Sequence, residues 1–334
     1  MTLPAMETAA PHGKKAAKTS HSIPVFAGAA SRSHQRLTMR RLQVLALLER
    51  FRRPGFGRDA GTLVQFVGFP RSGHSLIGAL LDAHPNAAIA HELDIMGLVA
   101  KGMSAASIRS LIGRSARQFS DDGRWWNGFR YETPELSALS NEELTVIGDK
   151  KGDWATRWFA GDPSLIDKIR REIGLRTVFI NVTRHPLDNI ATMSLRKGRL
   201  YDRLRIEASD GEAFSTALQT AQEAGDIASH ALDEMVTDYL ALAAGVAAMK
   251  KAVPKDDWYE IVYEDFVEDC GASLSGLAGF LGLTSQADWL AAANTLVRSG
   301  GSKSRDRVSW TDDQRNLIRE AIQTYDFLRP YSDD

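Results

Sequence analysis

The run Leu63–Val67 (LVQFV), followed by Gly68-Phe69-Pro70-Arg71-Ser72-Gly73-His74-Ser75, constrains this chain more than any other stretch. A short apolar run closed by glycine reads as a buried strand that stops at a turn. From His74 to His84 the apolar positions Leu76, Ile77, Leu80 and Leu81 recur at helical spacing. Strand, glycine-bearing loop and helix in that order aim successive backbone N–H groups at one point, where the helix N-terminus adds partial positive charge. The spacing is that of a phosphate-binding loop with one change, His74 where the lysine belongs. Gly68 and Gly73 permit the tight path. A glycine pair alone matches by chance in many proteins, so the strand before and the helix after carry the reading.

The alternation continues along the chain. Thr145–Gly148 (TVIG), Thr177–Val182 (TVFINV) and Trp258–Val262 (WYEIV) read as further strands, with helical patterns over 164–173, 187–197 and 227–251. This predicts an α/β protein with a P-loop-like three-layer fold, a central mainly parallel sheet flanked by helices. Residues 95–140 and 198–226 interrupt the pattern and read as helical insertions. The single cysteine, Cys270, excludes an internal disulfide and a cysteine-based zinc site. No apolar run approaches the roughly 18 residues that a membrane span needs, and the expected setting is cytoplasmic.

Net charge is −1, but unevenly spread. Residues 1–60 hold 11 Lys and Arg against 3 Asp and Glu, leaving 30 against 39 for the remainder. The first 60 residues read as a basic extension, with 61–334 as one domain. Within that extension, Leu37, Leu45, Leu48 and Phe51 fall near helical spacing among arginines. Such a helix packs on its own domain or lies against a membrane surface as a peripheral contact. Nucleic acid is not expected as a partner.

A nucleoside-triphosphate enzyme wants a lysine at position 74 and an acidic strand end for Mg²⁺. The TVFINV strand ends instead in Thr183-Arg184. The site therefore reads as one for a phosphate-like anion handled by arginine and backbone, without metal. A second basic segment follows, Arg184-His185-Pro186-Leu187-Asp188-Asn189, with Thr192 and Arg196 downstream. Pro186 suits the first turn of a helix and Asp188 its N-terminal end. A strand-end arginine and a hydroxyl eight residues on can donate to a single phosphate.

In these two segments the sequence resembles the sulfotransferases that use 3′-phosphoadenosine-5′-phosphosulfate (PAPS). GFPRSGHSLIGALLDAHP is similar to their 5′-phosphosulfate loop, closest to the tyrosylprotein and bacterial carbohydrate branches; VTRHPLDNIATMSLRKG is similar to their 3′-phosphate segment. The resemblance spans roughly residues 62–315. It implies sulfuryl transfer from PAPS to a hydroxyl or amine of a small-molecule, carbohydrate or peptide acceptor, releasing PAP without a metal. Arg71 then takes the basic position near the bridging oxygen, and Ser72, Gly73, His74 and Ser75 line the phosphosulfate. Arg184, Thr192 and Arg196 hold the 3′-phosphate, and Tyr263 lies near the nucleotide. Ser302, Lys303 and Arg305 belong to a late basic loop that closes over it. Two positions depart from the family: it usually has threonine at 74 and serine at 192.

Glu92, in Ala90-His91-Glu92-Leu93, is the candidate base by the same resemblance; as a residue it equally suits a helix cap, and His91 is the second candidate. Lys150, at a strand end, resembles a lysine that steadies the sulfuryl group in flight. Trp125, Trp126, Phe129, Tyr131, Trp154, Trp158 and Phe159 flank these motifs as core or as acceptor-cleft walls. Two competing readings remain, a metal-dependent nucleotide kinase or NTPase and a non-catalytic nucleotide-binding module.

Overall fold

The computed structural model describes residues 32–126, 129–138, 143–198, 200–209, 211–297 and 303–332. Its strands in chain order are β1 (Thr62–Gly68), β2 (Ala87–Ala90), β3 (Trp125–Trp126), β4 (Phe129–Arg130), β5 (Val146–Asp149), β6 (Arg176–Thr183) and β7 (Trp258–Val262). Five of them form one sheet in the order β2-β5-β1-β6-β7, with every pairing parallel. β3 and β4 form a separate antiparallel pair.

Helix α1 (Arg32–Arg52) precedes the sheet and α2 (His74–Asp82) follows β1. After β2 come α3 (Ile95–Ala100) and α4 (Ala105–Asp121), and after β4 the short α5 (Pro134–Ala138). α6 (Gly152–Gly161) and α7 (Leu165–Ile173) link β5 to β6. α8 (Pro186–Leu195), α9 (Leu200–Glu207), α10 (Gly211–Glu223) and α11 (Asp233–Ala252) link β6 to β7. The chain then runs through α12 (Tyr263–Glu268), α13 (Cys270–Leu281), α14 (Ala287–Leu296) and α15 (Asp312–Thr324).

Alternation along β1 explains the layers. Leu63 and Val67 enter one core with Ile108 and Leu111 of α4, Ile169 of α7, and Tyr239 and Val246 of α11. Val64 and Phe66 enter the other with Ile77 and Leu80 of α2, Leu274 of α13 and Trp289 of α14. Every residue of β1 is buried, as a central parallel strand covered on both faces requires.

Three boundaries differ from the sequence expectation. α1 is packed: Ala46 is buried in the first core and the carboxylate of Glu49 meets Arg117 of α4 at 2.5 Å. The folded body thus reaches into residues 32–60. Residues 95–140 are not only an insertion, since Ile95, Met96 and Ile112 belong to the first core. α11 begins at Asp233, because the chain before it is extended, bridging His230 to Ser309 and donating Leu232 N–H to Ser194 Oγ at 3.1 Å. α9 and α10 do form a satellite, with Tyr201, Phe214 and Leu218 in a small core shared with Ala191 and Leu195 of α8.

In a parallel sheet all the C-terminal strand ends lie on one edge. Here β2 and β5 lie on one side of β1, and β6 and β7 on the other. The chain changes direction at β1, which opens a crevice above its C-terminal end.

Candidate active site

The loop after β1 sits in that crevice. Gly68 has φ of 107°, and a Cβ there would lie 2.6 Å from Asn181 Oδ1, so glycine is required. Its N–H donates to Thr156 Oγ1 at 2.9 Å. Ser72 is fully buried and its hydroxyl donates to Phe69 O at 2.9 Å, closing the loop on itself. Gly73 has φ of 112° and caps α2 without a side-chain bond to the helix. No side chain therefore caps the start of α2, where helix N–H groups suit an anion. Arg71 adopts a left-handed backbone at φ of 69°; burial and then Arg196 lower the proton affinity of its guanidinium.

His74 does not use its ring on this loop. The imidazole is buried, donates from Nε2 to Val67 O at 3.0 Å, and stands edge-on to Phe66. Burial, with Lys150 next, pushes it down to about 3, so it is neutral. Position 74 offers the loop its backbone alone. The cation comes from another strand: Lys150, just past β5, donates from Nζ to Ser75 Oγ at 2.9 Å.

The same ammonium reaches Glu92, just past β2, with Nζ 2.5 Å from Oε1. Lys151 pairs with the other carboxylate oxygen. Burial opposes the charge on Glu92, but the two lysines outweigh it and hold the carboxyl below the usual range. Burial likewise lowers Lys150, against the pull of Glu92. Glu92 and Asp94 both have left-handed backbones, at φ of 67° and 66°. The turn carrying them is held by Asp149, whose carboxylate accepts from Leu93 N–H and Ile95 N–H at 3.0 Å each, and from Lys151 N–H at 3.3 Å. Asp149 is an acidic strand end beside β1, which the sequence reading missed by considering only β6. Its oxygens are committed to backbone N–H groups.

His91 is stacked on Phe119 at 3.9 Å between ring centroids and edge-on to Trp126 at 4.6 Å. Burial first, then Lys150, keeps it neutral. Trp126 also lies 5.4 Å beneath the Lys150 ammonium. Tyr131 is hydrogen-bonded to the Ser75 side chain; burial pushes its phenol up to about 12, against the pull of Arg196 and Arg71. Trp158 donates to Asp94 Oδ2 at 3.3 Å, whereas Phe159 is core. Trp125 is exposed.

The second basic segment meets the first loop. Arg184 donates from Nη1 to Arg71 O at 3.3 Å and to Thr192 Oγ1 at 3.2 Å. Thr192 Oγ1 also lies 3.0 Å from Ser304 Oγ. Tyr263 covers the junction: its ring would lie 2.4 Å from a Cβ on Gly73, and the Arg184 guanidinium stands 5.6 Å from the ring centroid. Arg71, Gly73, Arg184, Thr192 and Tyr263 are thereby brought together.

Two arginines have partners that the sequence did not indicate. Arg196 pairs with Asp202, lies over the rings of Phe129 and Tyr201, and stands near enough to Arg71 to lower its proton affinity. Arg305 grips Asp188, with its N–H 2.8 Å from Oδ1 and Nη2 3.0 Å from Oδ2, and reaches His185 Nε2 at 2.8 Å. It fastens the late segment to the start of α8. Lys303 is exposed, and Ser302 lies outside the described residues. Lys151, Asp149 and Ser304 were not singled out from the sequence; a lysine pair directly after a strand was the available signal for the first. Among the described residues no group of His, Cys, Asp or Glu is arranged to hold a metal ion.

Comparison with known proteins bears on this arrangement. Residues 64–288 match the sulfotransferase family. Among solved structures, the sulfotransferase domain of the Synechococcus PCC 7002 olefin synthase is 15% identical, with 80% of this chain and 96% of that one covered and a TM-score of 0.39. A sulfotransferase from Alicyclobacillus acidocaldarius is 14% identical, with 82% and 96% covered and a TM-score of 0.38. A mouse sulfotransferase complexed with PAP is 12% identical, with 89% and 94% covered and a TM-score of 0.39. No curated protein matches the chain. The family match runs from within β1 into α14, taking in the anion loop, Glu92, both lysines and the Arg184 segment. This chain belongs to the sulfotransferase family and is an enzyme of sulfuryl transfer.

Proposed function

We propose that the chain transfers the sulfuryl group of PAPS to a hydroxyl or amine of its acceptor, with Glu92 as base and without a metal. One observation carries this reading: the Lys150 ammonium bonds at once to Ser75 of the anion loop and to Glu92. That contact puts a carboxylate and a cation beside the anion cradle.

When bound, PAPS presents sulfur joined to a phosphate oxygen as leaving group. The acceptor atom forms its bond to sulfur as the sulfur–oxygen bond to the phosphate breaks, and PAP leaves with the electron pair. Glu92 takes the acceptor proton. Arg71, Lys150 and the α2 N–H groups face the charge that builds on the leaving oxygen. With both lysines on it, Glu92 is ionised but a weak proton acceptor. Lys150 drawn to the sulfuryl group leaves Glu92 with one fewer cation and a higher proton affinity. Arg184, Thr192 and Ser304 take the 3′-phosphate, and Tyr263 shields the nucleotide. Trp126, Tyr131 and Trp158 wall the acceptor side, suited to a sugar, a peptide aromatic or a small molecule. The motif likeness to the tyrosylprotein and carbohydrate branches favours the first two, and a cytoplasmic setting belongs to the same reading.

Calorimetry tests the two-anion assignment. PAP should bind at least about tenfold tighter than AMP. Arg184→Ala should weaken PAP by about 1.5–3 kcal/mol while leaving AMP unchanged. Equal affinities for the two nucleotides refute it. Turnover of labelled PAPS should persist in EDTA; loss restored by Mg²⁺ refutes metal independence.

A further inference from the structure

Helix α1 is apolar on two opposite faces. Leu42, Leu45 and Ala46 pack into the first core. Opposite them Val44, Leu47, Leu48 and Phe51 stand 56%, 51%, 51% and 78% exposed. Their spacing of three, four and seven residues aligns them as one stripe along the helix. The other large apolar side chains exposed among the described residues, Trp125, Ile206 and Leu317, lie singly on three separate elements. Single exposed apolar residues are ordinary, but four in one stripe are not.

Cations frame the stripe. Arg40 and Arg41 lie at one end, and Arg50, Arg52 and Arg53 at the other, all exposed. The helix has one acidic residue, Glu49, which is buried and paired with Arg117. No exposed carboxylate on α1 therefore offsets these arginines.

That charge selects the occupant. A second copy docked through this face about a two-fold axis would set arginine against arginine. The preceding segment, residues 1–31, carries three Lys and one Glu and is itself cationic. What complements the face is an apolar layer bounded by negative charge. α1 is not long and apolar enough to cross a bilayer.

We propose that α1 docks the enzyme on anionic lipid. The helix lies in the plane of the interface, with the stripe at the acyl boundary and the arginines at headgroup level.

The test is flotation of the full chain with vesicles of phosphatidylcholine alone, or with about a third phosphatidylserine. Binding to the anionic vesicles should exceed binding to the neutral ones at least about tenfold, and should weaken as salt rises. The double substitution Leu47→Glu and Phe51→Glu should lower anionic-vesicle binding at least about tenfold. Its melting temperature should stay unchanged, because both side chains already face solvent. Absent binding, or equal binding to both vesicles, overturns the proposal. So does a double variant that binds like the parent, which would assign binding to the cationic segment alone. A parent dimer that the same variant turns into a monomer overturns it in favour of a second copy.

Discussion

Glu92 is stabilised in its charged form by two lysines against the cost of burial, so it stays ionised well below the pH at which a free glutamate protonates. Glu92→Gln keeps the shape and cannot take a proton. Turnover should fall on the order of 10²-fold or more, with PAP affinity near that of the parent. His91→Ala should leave turnover largely intact, since its ring is buried against Phe119 and Trp126. The reverse pattern, measured by steady-state kinetics and calorimetry on both variants, would make His91 the base. At this scale the sequence pointed to Glu92, Lys150, Arg71 and Arg184, because each lies in or near a loop that follows a strand and matches a motif of the family it resembles. It could not foretell that His74 turns to a strand carbonyl, or that Arg196 and Arg305 pair with Asp202 and Asp188. Those outcomes depend on partners fixed only by tertiary packing.

Among the elements, the anion loop depends most on one backbone position. Gly73 combines φ of 112° with a Tyr263 ring 2.4 Å from where a Cβ would stand. Gly73→Ala should cost about 1–3 kcal/mol of stability through strain. It should also weaken PAP binding by displacing Tyr263. Chemical denaturation and calorimetry would check both, and an unaltered PAP affinity would contradict the assignment of Tyr263 to the nucleotide. The strands that were plain in the sequence are those rich in β-branched and aromatic residues. β2 was not among the strands read from the sequence, since Ala-Ala-Ile-Ala has little β propensity and its pairing with β5 holds it. The early start assigned to α11 followed apolar periodicity through 227–232, where sheet-like bonding to Ser309 and Ser194 prevails.

At the scale of the whole molecule, three buried aspartates shape the response to pH. Burial raises Asp82 and Asp149 to about 6 and Asp94 to about 7, in each case against partial relief from hydrogen bonds. Their contribution to stability is full below about pH 4, where an unfolded aspartate protonates, and is lost as pH rises through 6 to 7. Glu92 acts in the opposite sense below its ordinary value, and the buried neutral rings of His74 and His91 do so up to the usual imidazole value of about 6.5. Melting temperature should therefore fall above about pH 6.5, where the histidines no longer offset Asp94. Asp94→Asn should flatten that slope, and a scan of both proteins by differential scanning fluorimetry would decide. The two-faced parallel sheet was legible at this scale because the apolar strands and helices alternate so regularly. The packing of α1 was not, because the sequence shows apolar residues on both of its sides without saying which meets α4. A further consequence follows from Asp149. One carboxylate fastens both the turn after β2 and the start of the segment after β5. The spacing between base and cation is thus insulated from breathing of the sheet edge. Base and cation behave as a single mechanical part, so transplanting Glu92 and Lys150 into another scaffold would carry their relative geometry only if Asp149 travelled with them.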